Sequence, residues 1–125
     1  MQLRDVMHRQ VATVGADTPL SEAARRMRAL NFTRLPVCEG PKLVGLITAR
    51  DLTMRATAEG LDPQTSTVRE VMRRQVACVG EDEDIDKAAA VMQRYNIFRL
   101  PVVNRQQHLV GMVYYSDLDR SQRTT

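Results

Sequence analysis

Residues 3–37 of this chain occur twice. Sliding the sequence by 65 residues lays Leu3-Arg4-Asp5-Val6-Met7 on Val68-Arg69-Glu70-Val71-Met72 and Arg34-Leu35-Pro36-Val37 on Arg99-Leu100-Pro101-Val102. Over that stretch 18 of 35 positions are identical, where chance matching at average composition gives about two. A repeat this long means that one fold unit is built twice. One copy of about 60 residues is marginal on its own, so the two copies are expected to share a core.

After the Pro-Val pair the offset becomes 66, and Leu43-Val44-Gly45 meets Leu109-Val110-Gly111. One residue has entered the second copy between Val103 and Leu109, in a turn, where insertion is cheap. The boundaries drawn from this register are 1–65 and 66–125. In each copy a short helical turn (Leu3 to His8 in the first) leads to a strand around Val11 to Val14. Thr18 is a candidate cap and Pro19 a first helical residue, ahead of Leu20, Ala23, Ala24, Met27 and Leu30 at helical spacing. Asp84 is the corresponding cap of the second copy. Two strands around a turn follow, Arg34 to Cys38 and Leu43 to Ile47, then a helix from Leu52 to about Glu59 that Gly60 stops. The predicted class is α+β: two β-α-β-β-α repeats packed about a pseudo-twofold axis as one intertwined module.

Composition narrows the function. The chain has 125 residues, 43% hydrophobic and 26% charged, which is a globular balance. No apolar run approaches the ~18 residues of a membrane span, and the charged start lacks a signal peptide's apolar core. Cys38 and Cys78 are far apart and not equivalent in the repeat, which excludes a disulfide scaffold and a zinc cluster. The expectation is a soluble protein of the reducing cytoplasm. The net charge of +3 is interleaved along the chain, unlike the gathered basic face of a nucleic-acid binder. No nucleophile and base stand in a recognisable arrangement, so the chain is expected not to be an enzyme and to need no catalytic cofactor.

The Leu-Pro-Val strand recurs with a Gly-to-Asp segment in each copy. In the first it is Gly45-Leu46-Ile47-Thr48-Ala49-Arg50-Asp51, and in the second Gly111-Met112-Val113-Tyr114-Tyr115-Ser116-Asp117. This ordered set resembles a tandem cystathionine-β-synthase (CBS) domain pair of the small stand-alone bacterial type, which includes hypoxic-response proteins. The resemblance implies a regulatory module. Such a module binds AMP, ADP, ATP, NAD(H) or S-adenosylmethionine in clefts between its repeats, passes the ligand state to a regulated protein, and forms a homodimer. It further implies one cleft that joins Thr48 and Asp51 to Arg99 and to the backbone of Val76, Ala77 and Cys78. A second joins Ser116 and Asp117 to Thr33, Arg34 and the backbone of Val11, Ala12 and Thr13. The first, with the full Thr-x-x-Asp pattern, is expected to bind more tightly.

The chemistry fits. A carboxylate accepts both hydroxyls of a ribose diol, and arginine presents a planar fork to phosphate. Each feature also has a plainer reading. Thr48-x-x-Asp51 is a good capping box. Arg34 and Arg99 stand where any strand start would be exposed. Tyr114 replaces the threonine in the second copy. His8 and His108 are singletons, and Arg73-Arg74 reads as a solvated face. The alternative function is a ligand-independent scaffold or dimerisation protein.

Overall fold

The computed structural model describes residues 1–118. Its elements form two three-stranded sheets, each with a central strand flanked by one parallel and one antiparallel neighbour. In the first sheet β1 (Val14–Gly15) runs parallel to β2 (Arg34–Glu39), which pairs antiparallel with β3 (Lys42–Thr48). In the second β4 (Val79–Gly80), β5 (Arg99–Val103) and β6 (Leu109–Tyr114) repeat the pattern. The extra residue of the second copy sits in the β5–β6 turn, where Gln107 takes φ 66°.

Helix α1 (Leu20–Leu30) and helix α3 (Ile85–Tyr95) bury their apolar stripes, Leu20, Ala23 and Met27 on one and Ile85, Ala88 and Met92 on the other. The stripes place these side chains on one face at helical spacing. Both helices end on an asparagine in the left-handed region, Asn31 at φ 57° and Asn96 at φ 54°. The repeat keeps asparagine there because few other side chains tolerate that backbone. Asp84 caps α3 as expected, accepting from the Asp86 N–H at 2.9 Å. Thr18 does not cap α1. Pro19 takes the N-cap position, and the Thr18 carbonyl instead accepts from Val68 N–H at 2.9 Å.

That last bond belongs to a wider exchange. The chain divides into two compact units, Ala12–Val76, and Met1–Val11 with the chain from Ala77 on. They are called here the Asp51 unit and the Asp117 unit. Neither coincides with a sequence repeat. Each combines the body of one repeat with the leading segment of the other. The Asp51 unit is closed by the short helix α2 (Val68–Val71), whose Val68 and Val71, with Met72, enter a core of Leu20, Ala23, Leu35, Val37 and Ile47. The Asp117 unit is closed by the 3₁₀ turn Leu3–Asp5, and Leu3, Val6 and Met7 join Ile85, Ala88, Met92, Leu100, Val102 and Val113. Each leading segment thus buries its apolar side chains against the other repeat's sheet.

Candidate functional site: the motif aspartates and the leading segments

Each motif glycine lies inside a strand, Gly45 in β3 and Gly111 in β6. A Cβ on Gly45 would lie 2.7 Å from Met72 Sδ and 2.8 Å from the Arg73 carbonyl oxygen. The missing side chain lets the leading segment cross β3 at backbone distance. Leu46 and Arg73 then exchange hydrogen bonds of 2.9 and 2.8 Å. Gly111 does the same: its Cβ would meet Met7 Sδ at 2.6 Å and the His8 carbonyl oxygen at 2.9 Å. His8 and Met112 exchange bonds of 2.8 and 2.9 Å.

The crossing delivers a basic side chain to each motif aspartate. Asp51 is 3% exposed, the one buried charged residue among those described. Arg73 Nε donates to both its oxygens, at 3.1 and 3.3 Å. The Asp51 N–H donates to Thr48 Oγ1 at 3.0 Å. Burial works against the charge, but hydrogen bonds from Arg73 and Thr48 outweigh it and hold the carboxyl below the ordinary aspartate range. Asp51 opens a π-helical segment, Asp51–Ala56, whose Arg55 Nη1 is also bonded to the Val71 carbonyl oxygen. Such wide turns recur at functional sites.

In the Asp117 unit the same position carries a histidine. His8 Nε2 lies 3.1 and 3.2 Å from the two oxygens of Asp117, and the Tyr114 ring stands edge-on to the imidazole at 5.4 Å. Tyr114 contributes its backbone N–H to Asp117 Oδ2 at 2.8 Å. The side-chain half of the capping pattern is lost with the threonine. Arg73 and His8 are both exposed, as a surface reading implies, and the crossing segments in addition place each of them on a motif carboxylate.

The remaining expected site residues divide between the units. Arg34 stands directly opposite Thr48 in the β2–β3 register, and the Thr33 carbonyl oxygen accepts from Ala49 N–H at 2.8 Å. Thr33, Arg34, Thr48 and Asp51 thus share one end of one sheet. Arg99 faces Tyr114 across β5 and β6, in the same unit as Ser116 and Asp117. Within its own unit each motif aspartate thus stands at the end of the sheet that carries its own repeat's arginine. Val11 and Val76 end the leading segments, and Ala12, Thr13, Ala77 and Cys78 begin the runs into β1 and β4. Cys38 and Cys78 are half-buried. Desolvation raises both thiols above their ordinary pKa, which lowers their thiolate content and reactivity.

The CBS domain model matches residues 3–56 and 68–123. The chain belongs to the CBS domain family. It is 39% identical over 116 residues to the CBS domain-containing protein YhcV of Bacillus subtilis, covering 93% of this chain and 81% of that one. Its fold matches the crystal structure of Hypoxic Response Protein I with two coordinated zinc ions at a TM-score of 0.84 and 34% identity, over 97% and 98% of the two chains. Among the described residues here, no group of three or more His, Cys, Asp or Glu side chains is placed to hold a metal ion. The CBS domain pair of protein MJ0100, solved with 5′-methylthioadenosine and S-adenosyl-L-methionine, matches at a TM-score of 0.73 and 32% identity over 98% and 99% of the chains. No helix of the described residues is long and apolar enough to cross a membrane.

Proposed function

We propose that this CBS pair is a cytoplasmic sensor of an adenosine derivative, non-catalytic, which reports ligand state to a regulated protein. The observation that carries the reading is Asp51. A carboxylate that is buried and yet kept ionised presents strong acceptors for a ribose diol, and a helix cap alone does not need burial. Thr48 supplies a hydroxyl beside it. Arg73 meets Asp51 through Nε only, and among the described residues nothing takes its Nη groups. Those N–H groups suit a phosphate attached to the ribose. Arg34, opposite Thr48, adds a second guanidinium at the same sheet end. The adenosine ligands of the MJ0100 pair favour this class over a pure scaffold.

Ser116 and Asp117, with Arg99 at the same end of the second sheet, would serve a second ligand. With Tyr114 in place of the threonine, the Asp117 set is the weaker one. A homodimer belongs to the same reading. Phe98 and Tyr115 are exposed at 67% and 59% and pack edge to face at 6.2 Å, large apolar surfaces of the kind that association covers. A thermal-shift screen with AMP, ADP, ATP, NAD(H) and S-adenosylmethionine tests the function. A ligand at a hundred times its dissociation constant adds about 2.7 kcal/mol. Raised melting with at least one of them is expected, and no shift with any would favour the scaffold.

A further inference from the structure

The two units treat one equivalent arginine differently. In the Asp51 unit Arg69 of α2 donates Nη1 to Glu39 Oε1 at 2.8 Å, and Nε and Nη2 to Asp17 Oδ1 at 3.3 Å each. The Arg69 hydrogen bond holds the Glu39 carboxyl below its ordinary range. At an offset of 65 the equivalent residues are Arg4, Asp82 and Asn104. Asn104 has no carboxylate to offer. Its Oδ1 is already committed to the longer turn, accepting from Gln106 N–H at 2.9 Å and His108 N–H at 3.0 Å. Asp82 pairs with Arg105 at 3.4 Å instead. Among the described residues nothing takes the guanidinium of Arg4. In place of the closed cluster a cavity of about 330 Å³ opens, lined by Arg4, Glu81, Asp82, Asn104, Arg105 and Gln106.

We propose that this cavity binds a small zwitterion with a carboxylate and an ammonium group, the chemistry of a free α-amino acid. The Asp51 unit displays what a guanidinium at this place takes, since Glu39 fills the position with a carboxylate of the chain itself. A ligand carboxylate would bond Arg4 in the same way, in the bidentate geometry that favours arginine. The lining is balanced, two arginines against two acids with two amides. A purely anionic ligand would therefore meet Glu81 and Asp82, whereas an ammonium group would be held by them. The volume lies at the small end of ligand pockets. This site is separate from the motif aspartates and does not depend on adenosine binding.

The test is an NMR titration of the whole chain with the standard L-α-amino acids, with acetate and ethylammonium as the two half-ligands. At least one amino acid should shift the backbone amides of Glu81, Asp82, Arg105 and Gln106 saturably, and bind about tenfold or more tightly than either half. Arg4→Gln, which breaks no contact of the fold, should weaken it about tenfold or more, while Arg69→Gln leaves it unchanged. Asn104→Glu, which restores the intramolecular carboxylate, should quench it. No shift at those amides, equal binding by acetate, or unchanged binding to both the Arg4→Gln and Asn104→Glu proteins would overturn the proposal.

Discussion

At the scale of single residues, Asp51 and Asp117 show how one motif position acquires two characters. The Asp51 side chain is 4% exposed and bonded by an arginine, whereas that of Asp117 is 16% exposed and faces a histidine; the two basic partners are similarly exposed, at 54% and 56%. Removing the charge from a buried carboxylate that accepts charged hydrogen bonds costs about 2–3 kcal/mol, whereas a pair in better contact with solvent contributes about 0–1 kcal/mol. Asp51→Asn should therefore destabilise the protein by about 2–3 kcal/mol in urea at neutral pH, and Asp117→Asn by clearly less. The carboxyl of Asp51 is depressed in the folded state. Its contribution is thus complete above the ordinary aspartate pKa and is lost as pH falls through the lower folded value. The gap between wild type and Asp51→Asn should close on acidification, and a gap that widens would contradict the ion pair. Thr48 and Asp51 were legible from the motif. Arg73 was not, because 22 residues separate it from its partner and an Arg-Arg dipeptide reads as surface. Comparing the copies by identity also hid it, since its counterpart is His8.

At the scale of elements, the strands and helices followed from hydrophobic period and turn residues, and the Pro-Val strands became the central strands of both sheets. The leading segments were legible as short helical turns, but not the sheet that each would close. Periodicity marks an apolar face without naming what covers it. The glycines carried that information in a form that spacing alone does not reveal. A mid-strand glycine marks either a bulge or a close backbone approach, and here Met72-Arg73 and Met7-His8 are the approaching segments. Gly45→Ala and Gly111→Ala should each cost about 1–3 kcal/mol, the usual penalty of overpacking. In both cases the clash is partly with a carbonyl oxygen, which cannot rotate away as a thioether can. Urea denaturation of the two variants checks this, and wild-type stability in either would mean that the crossing is looser than described.

At the scale of the whole molecule, the exchange of leading segments decides which pieces of the chain are self-sufficient. A fragment 12–76 keeps every buried residue of its core, whereas 1–65 lacks Val68, Val71 and Met72 and leaves Leu3, Val6 and Met7 without their partners. The first fragment should retain more helical circular dichroism and melt more cooperatively than the second, and the reverse order would contradict the unit boundaries. Light scattering should find the intact chain at twice 14.1 kDa if the exposed aromatic pair marks a dimer, and a monomer would remove that part of the proposal. The central claim is that the motif aspartates read an adenosine ligand, and calorimetry tests it most directly. Wild type, Asp51→Asn and Asp117→Asn would be titrated with AMP, ADP, ATP, NAD(H) and S-adenosylmethionine, under conditions where circular dichroism shows each variant folded. At least one ligand should bind the wild type, Asp51→Asn should weaken it about ten- to a hundredfold, and Asp117→Asn should leave the tighter site in place. Unchanged binding to the Asp51→Asn protein, or no binding of any of these ligands to the wild type, would contradict the account.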